Sequence, residues 1–425
     1  MKFNTKRTVL VGLGFMSICA FWQVYDGIVP LILKNSFGVD GAAKGVIMAI
    51  DNVLALFLLP FFGSLSDKTN TRLGKRMPYI LVGTAGAVCS MLMIPAADKS
   101  GSLPFFAVVL GLTLLFMATY RSPTVALMPD VTPKPLRSRG NAIINLMGTV
   151  GGIMSLLTIS VLVGKGERPD YFPIFAVTAG FMTLAVLALL WKVRENDFRA
   201  EAEKAAEGYE EPVTGENRGV DLPKDVKRSL YLMLGSVFLL FMGYNAVSTW
   251  FSTYATSVWG MEGGSFALPL TVAQGAALAA YVPVSHLAAK IGRRRTILCG
   301  SLLLCSVFAC CILFKVFSPV IFVFFVLAGA GYAAIIVNNF PMIWEMCRGA
   351  DVGRFTGYYY TMSMSAQILT PIVSSALMSA VGDWVLFPYS CVFIFLSFCC
   401  MLFVRHGDAK AEVKKSTLEM LDVDD

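Results

Sequence analysis

Histidine is almost missing: His286 and His406 are the only two in 425 residues, and they stand far apart. A hydrolytic zinc site of the HExxH type needs two histidines at i and i+4 on one helix, so that chemistry is excluded. Phosphate-cradling loops are missing as well. No GxxxxGK[S/T] run occurs, and Gly12-x-Gly14 lies within an apolar run instead of opening a strand-to-helix turn. No cofactor and no metal are therefore expected, and no catalytic residue either. Charge is also scarce, at 15% of residues where soluble domains carry about a quarter. With 56% apolar residues and a mean hydropathy of +0.67, the chain is expected to be an integral membrane protein. Of the ten cysteines, Cys19, Cys89, Cys299, Cys305, Cys310, Cys391, Cys399 and Cys400 lie within apolar runs without metal-ligand spacing, and read as small packing residues.

What is abundant is the helix-length apolar run. At about 20 residues per crossing, twelve spans are expected near 8–33, 42–63, 78–97, 103–128, 140–163, 172–193, 229–255, 266–289, 296–316, 318–345, 355–380 and 385–404. The first leads directly into the second with no small-residue cleavage site, so it is expected to be a retained helix. Residues 192–228 are rich in Glu, Lys, Ala, Gly and Pro and cannot bury enough surface to span or pack. Within them, Glu195 to Glu207 has the spacing of a surface helix, helped by Glu201 and Lys204. The expected organisation is a bundle over 1–193, a linker over 194–228, a second bundle over 229–404 and a tail over 405–425. This is an all-α membrane fold of twelve helices in two pseudo-symmetric halves.

Between the second and third spans lies Gly63 to Tyr79, GSLSDKTNTRLGKRMPY, the most polar short insert of the first half. A central Arg or Lys costs roughly 2.5 to 3.5 kcal/mol in hydrocarbon, so this is a loop at a membrane face. A weaker copy, SHLAAKIGRRRT, occupies Ser285 to Thr296, half a chain further on, as a duplicated bundle would give. The face with the first loop, together with both termini, carries 28 of the 35 Lys and Arg residues, and the other face carries six. By the positive-inside bias that face and both termini are expected to be cytoplasmic, in a cell membrane. The same bias accounts for the net charge of +7, so no nucleic-acid partner is expected.

Ionisable residues within spans are functional candidates by default. Trp22, Tyr25 and Asp26 fall at i, i+3 and i+4 on one face of the first span. Asp51 and Asn52 lie near the middle of the second, and Tyr120 and Arg121 lie on the fourth. Two acids and a base on neighbouring helices can meet at one cavity, although a structural ion pair of Arg121 with either acid satisfies the same pattern. The second half carries no mid-span charge but offers Tyr244, Asn245, Ser248, Trp250, Gln274, Asn338, Asn339, Tyr360 and Gln367. Amides, hydroxyls and rings suit an uncharged, hydroxyl-rich solute, and each taken alone suits an interhelical hydrogen bond equally well. Asp130 and Glu345, near the ends of the fourth and tenth spans, are expected to pair with basic loop residues. Gly148, Gly152, Gly329 and Gly331 are expected at close helix crossings.

The segment GSLSDKTNTRLGKR resembles the loop between helices 2 and 3 of the major facilitator superfamily, in the long form of its glycoside/cation and sucrose/proton symporters. Gly292 to Arg295 is similar to the superfamily's second such loop. The resemblance covers nearly the whole chain and implies a gating role for Asp67, Arg72, Lys75, Arg76 and Arg293, with Asp130 and Glu345 as partners. RSPTVALMPD, Arg121 to Asp130, is similar to the helix-4 segment of the glycoside/cation branch, whose sodium-site carboxylate falls where Arg121 stands here. The helix-2 acids of that branch fall at Ala55 and Leu59, with Asp51 one turn further out. The departure removes the carboxylate cluster a sodium ion needs and implies proton coupling through Asp51, Asp26 and Arg121. The Pro123 to Asp130 spacing is also similar to the sucrose/proton branch. The resemblance implies a monomeric, proton-coupled symporter of a sugar or glycoside working by alternating access, with Trp22, Tyr25, Asn52, Tyr120, Tyr244, Asn245, Gln274, Asn338 and Gln367 toward solute. The alternatives are an exporter of amphiphilic or drug-like molecules, since related lysolipid carriers share this look, and a transporter-like sensor.

Overall fold

The computed structural model describes residues 4–133, 136–166, 168–205, 223–346 and 352–408. Of the linker, 194–205 and 223–228 are described, while 206–222 and the tail beyond 408 lie outside the described residues. Among the described residues every regular element is a helix. The α-helices are α1 (Thr5–Asn35), α2 (Gly41–Lys68), α3 (Met77–Lys99), α4 (Leu103–Val131), α5 (Arg137–Leu162), α6 (Phe172–Lys192), α7 (Glu195–Ala205), α8 (Lys224–Ser257), α9 (Ala267–Ile291), α10 (Arg293–Ile312), α11 (Val320–Met346), α12 (Val352–Val381) and α13 (Leu386–Leu402). All but α7 are long and apolar enough to cross a membrane.

In hydrocarbon a backbone N–H or C=O finds no water, so an apolar run closes its hydrogen bonds within itself. The same pressure acts on hydroxyls: Thr113, Thr124 and Thr178 donate to the carbonyls of Val109, Tyr120 and Ile174, four residues back. It also tolerates prolines that would break a helix in water, here Pro30, Pro60, Pro95, Pro123, Pro129, Pro283, Pro341 and Pro371. Helix starts follow ordinary rules. Ser102 caps α4 by accepting from the Phe105 N–H, and Pro78, Pro104 and Pro173 occupy first-turn positions that need no donor. Three spans depart most from their expected bounds: the second runs to Lys68, five residues past 63, so the first part of the expected 63–79 loop is helical, and the seventh begins at Lys224, five residues before 229. The ninth stops at Ile312, short of 316, because the Leu313 and Phe314 N–H groups reach back only three residues, to Cys310 and Cys311, and Pro319 follows.

The chain divides into two compact units. The first comprises 1–39, 50–209 and 262–268; in it α1 packs on α5 and α6, and α3 packs on α4 and α6. Gly148 faces Phe15 and Cys19. Gly151, next to the expected Gly152, lies so close to the Met16 carbonyl that a methyl there would collide with it. Ser155 adds a hydrogen bond of 2.8 Å to the Ala20 carbonyl. The second unit comprises 40–49, 210–261 and 269–425; in it α8 packs on α12 and α13, and α10 packs on α11 and α13. Gly300 and Gly331 meet backbone to backbone, Gly329 lies on the Ala273 carbonyl, and Ser236 and Ser397 bond each other at 2.9 Å. Small residues and shared hydroxyls are how helices associate where no hydrophobic force separates them from lipid.

Candidate functional site

Three helices of the first unit bring the in-span charges together. On α1, one turn separates Trp22 from Asp26, and the Trp22 and Tyr25 rings meet edge to face at 5.4 Å. On α2, Asn52 Nδ2 donates to Asp51 Oδ1 at 2.8 Å. On α4, the Arg121 guanidinium lies over the Trp22 ring, 5.7 Å from its centre. Trp22, Asp51 and Arg121 line one small cavity, with Leu54, Ala55, Leu59, Leu114 and Ala118 as its apolar wall. Ala55 and Leu59 thus face the same cavity as Asp51.

The electrostatics are those of a cluster rather than a closed pair. Asp26 and Asp51 are near enough to feel each other's charge, Asp51 feels Arg121, and the Tyr25 hydroxyl feels both acids. Among the described residues Arg121 has no carboxylate within ion-pair distance, so the structural salt bridge that the sequence allowed is not formed. Two donors remain open beside it: Trp22 Nε1 and the Tyr25 hydroxyl are buried and have no protein partner. A buried donor left unpaired costs about 1 to 3 kcal/mol, which a bound hydroxyl or water would recover. Asp26, Asp51, Asn52 and Arg121 are half-buried.

Tyr120 does not belong to this group. It is fully buried, and its hydroxyl is 2.5 Å from Ser17 Oγ and 2.9 Å from the Gly14 carbonyl, so it knits α4 to α1 and has nothing left to offer a solute. Asn338 is a second correction: it is 2% exposed and its Nδ2 donates to the Ala334 carbonyl at 2.9 Å, back along its own helix. Of the other second-unit candidates, Tyr244, Asn245, Ser248, Gln274 and Gln367 are half-buried, whereas Trp250 and Asn339 are buried and Tyr360 is exposed. Tyr244 stacks on Tyr332 with ring centres 3.9 Å apart, and the Asn245 Nδ2 is buried without a partner. Gln274 lies half-buried on α9, and Gln367 reaches Ser363 Oγ at 3.4 Å.

At the end of the first unit that carries the 63–79 loop, Arg76 is 4% exposed and fully engaged. Its Nε donates to Asp130 Oδ2 at 2.8 Å, its Nη1 to Ser66 and to the Gly63 carbonyl, and its Nη2 pairs with Asp67. Lys75 Nζ lies 3.1 Å from Asp130 and 3.6 Å from Asp67. Arg72 is exposed and makes no ion pair among the described residues. In the second unit Arg293 Nη2 meets Glu345 Oε1 at 3.2 Å, the same relation between the start of α10 and the end of α11.

Three residues escaped sequence reasoning. Lys44 on α2, 3% exposed, points its ammonium at the Trp250 face, 4.5 Å from the ring centre, with Thr253 Oγ1 at 3.3 Å. Its place within helical periodicity, not in a loop, was the available signal. Glu195, the first residue of the supposed surface helix, is 1% exposed and accepts backbone hydrogen bonds at the start of α3. Asp408 does the same at the start of α10. Nothing local in the sequence marks either.

A family model described as Major Facilitator Superfamily matches residues 11–281 and 259–420. The chain belongs to the Major Facilitator Superfamily. The isoprimeverose transporter of Lactiplantibacillus pentosus is 27% identical over 162 residues, 36% of this chain and 33% of that protein. The sucrose transport protein SUC3 of Arabidopsis thaliana is 22% identical over 199 residues, 39% of this chain and 33% of that one. The chain thus covers 33% of the length of each of these relatives. The crystal structure of the nucleoside transporter NupG superposes with a TM-score of 0.67 at 13% identity, covering 94% of this chain and 100% of that one. The superfamily and its twelve-helix fold are those expected from the loop motifs. The chain is a multi-pass membrane protein of a superfamily whose matched members are transporters, not enzymes.

Proposed function

We propose that the protein is a secondary active transporter, a proton-coupled symporter of a sugar or glycoside working by alternating access. The observation that carries this is the first-unit cluster, where Trp22 Nε1 and the Tyr25 hydroxyl lie unpartnered beside Asp26, Asp51 and Arg121. A sugar presents hydroxyls that both donate and accept, and apolar C–H faces suited to an aromatic ring. Two open donors, two acids that accept and a tryptophan face are its complement. The likeness to the isoprimeverose transporter and to SUC3 supports the same solute class.

Coupling follows from the charges. Asp51 exchanges influence with Asp26 on one side and Arg121 on the other, so a proton gained or lost at Asp51 changes the charge of the whole group. The cluster holds two acids and a guanidinium, a poor set for sodium, which takes several oxygen ligands as other hard cations do. The loop at 63–79, with Arg76 shared by Asp67 and Asp130, serves as a gate element, and Arg293 with Glu345 as its counterpart. The face bearing these loops is cytoplasmic and the host membrane is the cell membrane. The test is purified protein in proteoliposomes with a library of labelled sugars: a proton gradient should drive uphill uptake of at least one. Uptake that requires sodium and ignores pH would overturn the coupling, and failure of every sugar to exchange would overturn the solute class.

A further inference from the structure

The chain leaves the last membrane helix of each unit and at once turns a carboxylate onto the start of that unit's third membrane helix. Three residues beyond α6, the Glu195 carboxylate accepts from the backbone N–H groups of Lys75 at 2.8 Å, Arg76 at 3.0 Å and Met77 at 3.0 Å. Six residues beyond α13, Asp408 Oδ1 accepts from the N–H of Arg294 at 2.9 Å. Each carboxylate sits over a glycine in the left-handed region, Gly74 with φ of +116° and Gly292 with φ of +93°, where an added methyl would strike it. Next to the capped amides stands the arginine that pairs with the end of the following helix, Arg76 with Asp130 and Arg293 with Glu345.

We propose that Glu195 and Asp408 are equivalent positioning residues, each fastening the segment that leaves its unit to the start of α3 or α10 and so holding Arg76 and Arg293 in their ion pairs. The consequence for gating rests on the transport reading above; the fastening itself does not. Unpaired N–H groups and the helix dipole at α3 and α10 favour an anion there, and a backbone capped by a carboxylate cannot slide without breaking charge-assisted bonds.

The two fastenings are unequal. Glu195 is 1% exposed and takes three amides, and its neighbour Asn196 donates to the Thr71 and Arg72 carbonyls, each at 3.2 Å. Helix α7 is held a third time where Arg7 lies over the Phe198 ring, 3.5 Å from its centre, and pairs with Glu201. Asp408 is exposed and takes one amide. The linker side therefore dominates, and what the linker does is felt at Arg76.

The experiment uses the full chain, reading hydrogen exchange at residues 75–77, melting temperature and the Vmax and Km of sugar counterflow. Glu195→Gln removes the charge and turns an amide NH2 toward backbone donors. Exchange at 75–77 should accelerate, the melting temperature should fall, and Vmax should drop by about tenfold, as the loss of charge-assisted bonds implies, with Km nearly unchanged. Asn196→Ala should shift the same quantities less, and serves if Glu195→Gln fails to fold. Asp408→Asn should lower Vmax by no more than about twofold, as expected for one exposed bond. Unchanged exchange at 75–77 in Glu195→Gln overturns the fastening. A Vmax unchanged in the folded variant, or a Vmax loss matched by an equal rise in Km, reduces Glu195 to a structural cap. A wild-type chain that moves no sugar would sink the transport reading, and the exchange measurement would still decide the fastening.

Discussion

Tyr25 and Tyr120 are both fully buried, and their hydroxyls have opposite employment. The Tyr120 oxygen ties α4 to α1 through Ser17 and Gly14, whereas the Tyr25 oxygen has no protein partner and faces two acids. Tyr120→Phe should therefore lower stability by about 1 kcal/mol, the net worth of a typical buried hydrogen bond, without changing solute affinity. Tyr25→Phe should leave the melting temperature in place and weaken solute binding by roughly tenfold, the effect of one lost hydrogen bond in a dry site. Thermal unfolding and equilibrium binding on the two variants separate these outcomes, and a swap of the two phenotypes would remove Tyr25 from the solute site. Asp51 carries the coupling prediction. Asp51→Asn mimics the protonated acid, so uphill accumulation should vanish while exchange of bound solute continues. Accumulation against a gradient by that variant would end the role of Asp51 as proton carrier.

Among elements, the 63–79 loop was the most legible and α7 the least. Lys75 and Arg76 announced a polar turn because polar residues between two apolar runs have only one place to be, although Gly63 to Lys68 form the last turns of α2 and the turn itself is shorter than expected. Glu195 announced nothing, since a glutamate at the head of an acidic, alanine-rich helix is ordinarily solvated; only the fold brings it within 3 Å of amides 75–77. Tyr120 and Asn338 misled for a related reason: a polar residue in a span reads the same whether it faces a cavity or bonds a neighbour, and rotation about the helix axis decides which. Within the loop network, exposure ranks the partners of Arg76. The Asp67 side chain is 57% exposed and that of Asp130 is 19%, and Asp130 holds both Arg76 and Lys75. Exposed pairs are screened and contribute about 0 to 1 kcal/mol, while stripping a partner from a buried charge costs roughly 3 to 5 kcal/mol. Asp130→Asn should accordingly slow uptake more than Asp67→Asn, and both should do so by lowering Vmax more than affinity. Initial-rate uptake over a range of sugar concentrations checks the order, and equal rates for all three proteins would reduce the loop to a topology signal.

For the whole molecule, the distribution of charge and the repeat lead to the same orientation. Arg76 pairs with Asp130 at the start of α3, and Arg293 pairs with Glu345 at the start of α10; each pair follows a left-handed glycine in a basic loop. Each unit thus carries its basic loop at the start of its third membrane helix. The opposite face is poorer in cations, and two of them are held in local pairs, Lys99 with Asp170 at 3.0 Å and Lys165 with Glu262 at 3.2 Å. The Asp170 carboxyl is held below the usual carboxylate range by the Phe172 N–H and by Lys99. Its folded value is the lower one, so its contribution is present at neutral pH and is lost only as pH falls through that value. Being exposed, it is worth less than about 1 kcal/mol. Orientation follows Lys and Arg counts near span ends, so the stretch with Lys68, Arg72, Lys75 and Arg76 is expected to keep its face in the cytoplasm. A cysteine placed at the exposed Asn70 should be closed to an impermeant thiol reagent in intact cells and open after permeabilisation, and one at the exposed Ser100 should label from outside. The parent chain, with its own thiols, gives the background. Labelling of position 70 from outside, with position 100 protected, would invert the topology and take both proposed gates to the other side of the membrane.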